Sequence, residues 1–198
     1  MVKRRRRNAD ATRQEALNAA ERLFARKGYG GTSVHDVARA SGISQPLLQH
    51  HFGGKAGLWR AVQARVMERF TRFWPRDEGR PFAAELHEAL RALFRILTRD
   101  ASLLRLFSWT RLEEAPGLWP GEREALEDVC GRIRKAQRQG QIRGDLDPML
   151  LTIILTSMVL YWCDERERLA GVFAHGQVPD QAYLETVVSV VSRGIEGR

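Results

Sequence analysis

Apolar residues along most of this chain recur every three or four positions, which is the spacing of one face of an α-helix. Glycines and prolines interrupt the pattern at intervals typical of helix ends and turns. The strict alternation that marks a half-buried β-strand never persists for more than a few residues. The sequence of 198 residues therefore predicts an all-α protein of about nine helices.

Two capping boxes predict where the first helices start. In a capping box, a hydroxyl residue at the helix start and an acidic residue three positions later each bond the other's backbone N–H. Thr12 and Glu15 predict the start of the first helix, which ends at Gly28. Ser33 and Asp36 predict the start of a short second helix.

The next two helices are separated from the second, and from each other, by glycine turns. Gly42 ends the second helix, because a tight turn there requires a positive φ. Ser44 caps a third helix, with Pro46 in its first turn, and a fourth runs from Lys55 to about Trp74. Two short helices joined by a four-residue turn have the layout of a helix-turn-helix, which binds DNA.

Five further helices are predicted in the rest of the chain, where the same apolar spacing recurs between breaks rich in proline and glycine. The predicted ranges are Phe82–Thr98, Ala101–Leu112, Glu122–Gln139, Pro148–Ala170 and Asp180–Ile195.

The net charge of +8 lies in the first third of the chain. Residues 1–60 contain 12 lysines and arginines against 4 acidic residues, whereas residues 61–198 contain 20 of each. Five of the basic residues form the run Lys3–Arg7. That run alone could be a solubilising tail, but without it residues 1–60 still hold 7 basic against 4 acidic residues. The asymmetry predicts a polyanionic partner for this third of the chain, and the helix-turn-helix layout favours double-stranded DNA as that partner.

Other sites and compartments are disfavoured. Cys130 and Cys163 do not follow a metal-ligand spacing and are too few for a disulfide scaffold, which fits a reducing cytoplasm. The adjacent His50 and His51 point apart on a helix, so we predict no metal site and no cofactor. The most apolar stretch, Met149–Cys163, is 15 residues long and too short to span a bilayer. No apolar run follows the basic N-terminus, so we predict no signal peptide and no membrane partner.

The stretch from Gly28 to Val62 resembles the tetracycline-repressor (TetR) family of bacterial regulators. The matching residues are Thr32, Ser33, Val34, Val37, Ala38, Ala40, Ser41, Gly42, Ile43, Ser44, Leu48, Phe52, Lys55 and Leu58. The segment GQIRGDLDP, residues 140–148, is also similar to the one that leads into that family's dimerisation helices. The chain departs from the family at Gln49, where Tyr is usual, and at Gly54 and Ala56, where Ser or Asn and Glu are common.

The resemblance implies a DNA-binding transcriptional regulator and not an enzyme. It implies a homodimer that represses from a palindromic operator and is released by a small-molecule effector. On this basis we predict a helix-turn-helix domain with a basic N-terminal arm over residues 1–54. Residues 55–198 would form a helical ligand-binding and dimerisation domain. The alternative is a DNA-binding protein that needs no ligand, and the sequence shows no grouping of nucleophile and base that would indicate a helical enzyme.

The third helix is predicted to enter the major groove, with its exposed early residues at base edges. Helix starts and Lys55 are predicted to hold phosphates. The candidate DNA contacts are Thr32, Ser33, His35, Ser44, Gln45, Pro46, Leu47, Gln49, His50, His51 and Lys55.

The helix from Pro148 is apolar nearly all round, and the last helix carries a further apolar stripe. One subunit could bury one stripe of each helix, and the surplus predicts a two-fold partner. The predicted interface residues are Leu155, Met158, Val159, Trp162, Leu184, Val187, Val188 and Val191. The alternative is that both helices are internal core.

Bulky apolar residues in the middle of the chain are candidates for the walls of an effector cavity, although core packing is their commoner role. These residues are Phe70, Trp74, Phe94, Leu97, Leu104, Phe107, Trp109, Trp119 and Trp162. An apolar or aromatic effector would suit such walls.

Overall fold

A computed structural model describes residues 2–71, 80–113, 118–173 and 180–195, with side chains from residue 10 onward. These residues form nine α-helices, a single 3₁₀ turn at Ala170–Val172 and no long strand. The helices are α1 (Val2–Lys27), α2 (Val34–Ser41), α3 (Gln45–Phe52), α4 (Lys55–Thr71), α5 (Phe82–Arg99), α6 (Ala101–Leu112), α7 (Glu122–Arg138), α8 (Pro148–Leu169) and α9 (Asp180–Ile195). The predicted all-α fold is confirmed.

Most helix ends fall within one or two residues of the prediction, but the start of α1 does not. The helix begins at Val2, so the predicted start at Thr12 is wrong, and the basic run Lys3–Arg7 lies in the helix rather than in a separate arm. No glycine or proline precedes Thr12, and lysine and arginine are good helix formers. The predicted end of the fourth helix near Trp74 lies outside the described residues.

The chain divides into two compact units. The first, which we call the head unit, contains Met1–Glu68 and Ala101–Pro120, and the second contains Arg69–Asp100 and Gly121–Arg198. These units differ from the predicted domains, 1–54 and 55–198, because most of α4 and all of α6 belong with the head. In the head unit α1 packs against α2 and α6. Its buried core includes Leu17, Phe24, Val37, Leu48, Leu58, Val62, Leu103 and Leu106.

Side chains of α6 cap the C-terminal end of α1. The last carbonyls of a helix have no partner within it and must find one elsewhere. Arg105 Nε donates to the carbonyl of Ala25 at 2.8 Å, and Trp109 Nε1 donates to the same oxygen at 3.2 Å. A second Arg105 nitrogen donates to the carbonyl of Arg26 at 3.4 Å. These bonds tie the helix-turn-helix to α6.

The second unit is a packed group of α5, α7, α8 and α9. Helix α8 packs against α5 and α7, while α9 packs against α5. The rings of Trp162 and Tyr183 stack in parallel with their centres 3.9 Å apart, and Trp162 Nε1 donates to Asp180 at 3.1 Å. Its buried core includes Leu86, Leu90, Leu97, Ile133, Leu155, Val159 and Val191.

The apolar residues that α8 and α9 expose are mostly not the ones predicted to form the dimer interface. Five of the eight are buried within the subunit, because they form the stripes that pack on α5 and α7 or on each other. They are Leu155, Val159, Trp162, Val187 and Val191. Such residues have almost no surface left for a partner, whereas Met158, Leu184 and Val188 are half-buried.

By length and composition, the stretch Pro148–Val172 is apolar enough to cross a membrane, and about 33% of its apolar window is buried. The same stretch carries five consecutive charged residues, Asp164 to Arg168. Its buried face packs within the second unit. A core helix of a soluble protein has the same properties, so this feature is weak evidence for a membrane.

Gly28 is required by both its backbone and its surroundings. Its φ is +72°, and an added Cβ would lie 2.4 Å from Glu113 Oε1 and 2.7 Å from the Trp109 ring. Gly42 has a similar φ of +70° but no atom within 4 Å of an added Cβ. The two glycines therefore separate the cost of a positive φ from the cost of a clash.

We predict that Gly42→Ala lowers the free energy of unfolding by ~1–2 kcal/mol, the cost of the left-handed backbone alone. Gly28→Ala should lose a further ~1–3 kcal/mol, because Glu113 and Trp109 must move. Urea unfolding at one fixed protein concentration measures both losses. If the two variants lose the same free energy of unfolding, Glu113 and Trp109 move aside from the added methyl group at no measurable cost.

Candidate DNA-binding interface

Helix α3 exposes its polar side and buries its apolar side. Gln45, Leu47, Gln49 and His50 are exposed, Leu47 at 38%, and together we call them the α3 surface. Leu48 is 1% exposed and anchors the helix in the head core. Ser44 and Pro46, at the start of α3, are exposed as well, and His51 is half-buried. A helix held in this way presents its side chains outward at fixed positions.

The start of α2 is fixed by the predicted capping box, which is confirmed. Ser33 Oγ accepts from the Asp36 backbone N–H at 3.0 Å, and the Ser33 N–H donates to Asp36 Oδ2 at 3.2 Å. The Ser33 hydroxyl also donates to Asp36, which lowers the pKa of that carboxyl below its usual value. Arg39 lies 3.2 Å from the other Asp36 oxygen. The acidic group nearest the helix start is therefore paired.

The side chain of Thr32 faces the interior and not the DNA side. Thr32 is 1% exposed, and its hydroxyl donates to the Gly28 carbonyl at 2.8 Å. The backbone N–H of Thr32 is also used, since it donates to the Tyr29 carbonyl. Its predicted phosphate contact is thus at odds with its burial, because closing the turn after α1 takes up its donors.

Lys55 lies at the start of α4, as predicted, but it also contacts the head. Its Nζ is 3.3 Å from the Gly30 carbonyl and 4.3 Å from the centre of the Tyr29 ring. An ammonium group has three donors, and this carbonyl uses one of them. Lys55 can therefore brace the turn and still present positive charge at the surface.

Glu113, just past α6, bonds the same turn that Lys55 contacts. Glu113 accepts from the N–H of Tyr29 at 2.9 Å and from the N–H of Gly30 at 2.8 Å. Sequence reasoning missed this residue, because more than 80 positions separate it from its partners and no local pattern marks the contact.

Two further contacts in the head were also missed. His35 Nδ1 of α2 lies 2.8 Å from Gln45 Nε2 of α3. The guanidinium of Arg13 in α1 lies 5.5 Å from the centre of the Phe52 ring at the end of α3. Both ends of α3 are thereby linked to neighbouring helices.

The residues predicted to line an effector cavity are divided between the two units. Leu104, Phe107, Trp109 and Trp119 lie in the head unit, where the Phe107 and Trp119 rings stack 4.5 Å apart. Phe70, Phe94, Leu97 and Trp162 lie in the second unit, and Trp74 is outside the described residues. Trp109 caps α1, and Trp162 stacks on Tyr183, so both have structural roles. The cavity remains a prediction.

A cavity of about 750 Å³ within the second unit has a different character. Charged side chains dominate its lining, among them Arg80, Glu85, Glu127, Arg132 and Lys135. None of the predicted effector residues lines it. Among the described residues, no group of three or more His, Cys, Asp or Glu side chains is placed to hold a metal ion.

The fold and the exposed α3 define a helix-turn-helix DNA-binding regulator, and the comparisons with known proteins agree. The family model described as "Bacterial regulatory proteins, tetR family" matches residues 16–62. A second model, "Tetracyclin repressor-like, C-terminal domain", matches residues 85–193. The chain belongs to the tetracycline-repressor family of transcriptional regulators.

Individual relatives match this chain at about a quarter of the aligned positions. The Escherichia coli (strain K12) regulator UidR is 26% identical over 154 residues, which cover 76% of this chain and 79% of UidR. RutR of the same strain is 24% identical over 207 aligned residues, covering 98% of this chain and 95% of RutR. The crystal structure of SCO4942 from Streptomyces coelicolor has a TM-score of 0.76 at 24% identity, covering 94% of this chain and 99% of that chain. The structural likeness shows the shared fold.

We predict that Glu113→Ala lowers the free energy of unfolding by ~1–3 kcal/mol, because two N–H groups lose a charged acceptor. Amide hydrogen exchange at Tyr29 and Gly30 should become faster than in the parent protein. Glu127→Ala, at an exposed position of α7, is the matched control and should change neither measurement. Unchanged exchange at Tyr29 would show that Glu113 does not hold the turn.

Proposed function

We propose that this regulator is a repressor, that it binds a palindromic operator as a homodimer, and that a small molecule releases it. The observation that carries the proposal is the α3 surface, an exposed set of amide, imidazole and apolar groups on a helix whose other face is buried. Relatives such as UidR and RutR are described as transcriptional regulators. Such a protein acts in the cytoplasm and performs no catalysis.

The α3 surface supplies the chemistry for reading bases in the major groove. A glutamine amide pairs with adenine through one donor and one acceptor, which suits Gln45 and Gln49. Leu47 can contact a thymine methyl, and His50 can bond a base or a phosphate. Ser44 and Pro46, at the start of α3, would lie close to the sugar-phosphate backbone of the DNA.

The phosphates would be held by groups beside this surface. The N–H groups of Val34 and His35 in α2 and of Gln45 in α3 lie at the helix starts and favour an anion. In α3, Pro46 has no N–H and the Leu47 N–H donates to the Ser44 carbonyl at 3.1 Å. The Ser33 and Ser44 caps, His35, His51 and the Lys55 ammonium lie around these helix starts. The paired state of Asp36 limits the repulsion that a free carboxylate would cause.

The homodimer would form through the exposed stripe of α8 and α9. On α8 the exposed apolar residues follow the spacing of one helix face, and on α9 Val190 is 57% exposed. The α8 residues are Leu150, Ile153, Ile154 and Tyr161, which are 48–61% exposed. Exposed apolar residues grouped on one helix face are typical of a protein–protein contact. A second copy of the chain supplies an identical stripe to cover it.

Dimer formation explains why the operator should be palindromic. Two identical heads related by a two-fold axis require two half-sites related in the same way, spaced by whole turns of ~10 base pairs. Duplexes selected from a random-sequence library by the full-length protein should therefore contain an inverted repeat. Selected duplexes without two-fold symmetry would contradict the proposal.

We predict that Ile153→Glu sediments as a monomer and binds the selected operator at least ~100-fold more weakly, because the second head loses its tether. Leu112→Glu is the matched control, since Leu112 is 72% exposed and belongs to α6 of the head unit rather than to the stripe. The control should remain dimeric and keep its operator affinity. A dimeric Ile153→Glu variant would place the interface elsewhere.

Release by an effector requires a connection between the head and the rest of the chain. Helix α4 supplies one by continuity, since it begins in the head at Lys55 and its last residues, from Arg69, belong to the second unit. An effector that binds better when the heads are wrongly spaced would shift the protein toward that state. We propose an apolar or aromatic effector, because the candidate residues for its cavity are apolar.

We predict that a small molecule which raises the thermal midpoint of the free protein weakens operator binding ~5–150-fold at saturation. DNA must weaken the binding of that molecule by the same factor, because the coupling is reciprocal. Fluorescence anisotropy of labelled operator and calorimetry of the molecule measure the two factors. Equal operator affinity with and without the molecule would favour the ligand-independent alternative.

A further inference from the structure

One polar contact joins the two helices of the helix-turn-helix at its outer surface. His35 of α2 and Gln45 of α3 are both exposed, and His35 Nδ1 lies 2.8 Å from Gln45 Nε2. The helices that carry them are fixed. Val37 of α2 and Leu48 of α3 are almost fully buried in the head core, and Ser33 caps α2. The contact is therefore held by two anchored backbones.

In the arrangement that the structure shows, this contact turns the Nε2 end of the Gln45 amide toward His35. A glutamine amide can rotate by 180°, which exchanges its oxygen and nitrogen with almost no change in shape. Gln45 Nε2 only donates, so the 2.8 Å contact pairs it with the His35 tautomer whose Nδ1 accepts. With that tautomer, the opposite orientation of the amide would place two acceptors, Oε1 and Nδ1, against each other.

The orientation of the amide matters because adenine presents two different groups in the major groove. Its N6 amino group donates and its N7 accepts, so a glutamine must place oxygen and nitrogen in a given order. The Nε2 group has two hydrogens, one of which can bond His35 while the other faces the base with Oε1. An amide that is free to rotate would offer the reverse order as readily.

We propose that His35 is a positioning residue for base specificity. It orients the Gln45 amide from the neighbouring helix, so that Gln45 selects adenine at one position of each half-site. This inference rests on the proposed function, in which α3 reads base edges. It assigns to His35 a role in sequence preference that does not require a direct contact with DNA.

Base preference at the Gln45 position tests this role. The full-length protein selects duplexes from a library with ~20 randomised base pairs, two turns of the helix, and affinities are then measured for the four bases at each half-site position. The parent protein should favour adenine at one position by ~5–150-fold, and Gln45→Ala should remove that preference. His35→Ala should reduce the same preference about tenfold, measured as the ratio of the affinities for adenine and for the other bases, so that any lost phosphate contact cancels.

A conservative variant separates positioning from a general structural effect. An asparagine Oδ1 is the same number of bonds from the backbone as histidine Nδ1 and can also accept from Gln45. His35→Asn should therefore restore the adenine preference, whereas His35→Leu, which lacks an acceptor, should not. Equal preference in His35→Leu and the parent protein would overturn the proposal.

The double variant distinguishes positioning from direct reading by His35. In a Gln45→Ala background, His35→Ala should have no further effect on base preference at any position. A further loss would show that His35 contacts a base itself and would overturn the positioning role. If Gln45→Ala leaves every preference intact, the reading of bases by Gln45 fails as well. If Gln45→Ala removes the preference and His35→Ala does not, only the positioning role fails.

Discussion

The end of α1 is the constraint on which the head depends. A helix that stops short of the next element leaves carbonyl groups that must be bonded, and a turn adds N–H groups with the same requirement. Here Arg105 and Trp109 of α6 donate to carbonyls of α1, and Glu113 accepts two N–H groups of the turn that follows. The Gly28 position is tight because Glu113 and Trp109 approach it so closely. The helix-turn-helix thus takes its shape partly from a helix far along the chain.

Helix α4 depends on polar contacts of the same kind. Arg65 bonds the carboxylate of Glu21 and lies 2.7 Å from Asn18 Oδ1, so α4 is fastened to α1 by charge as well as by packing. With its amide turned so that the oxygen faces the two rings, buried Gln63 accepts from the indole N–H of Trp59 and of Trp119, at 3.1 Å each. An indole N–H can only donate, so one oxygen satisfies both rings. All of these contacts lie within the head unit.

Local signals in the sequence predicted the helices well where the cause is itself local. The capping box of Ser33 and Asp36 spans three residues, and the positive φ of Gly42 is a property of one residue. The apparent box at Thr12 failed because nothing before it breaks the helix. Around α8 the pattern was apolar on nearly every side, so it predicted a surplus of apolar surface. It could not say that Leu155 and Val159 face inward while Ile153 and Ile154 face outward.

The sequence by itself determined the all-helical fold, the position of the helix-turn-helix and the exposed polar face of α3. Each of these follows from spacing, from capping residues or from the confinement of positive charge to one third of the chain. Tertiary structure alone decided that the Thr32 hydroxyl is used inside the head and that His35 bonds Gln45. It also decided that Glu113 holds a turn more than 80 residues away. The physical reason is that a side chain's partner depends on which helices pack together. The spacing of residues along one helix does not indicate which other helices pack against it.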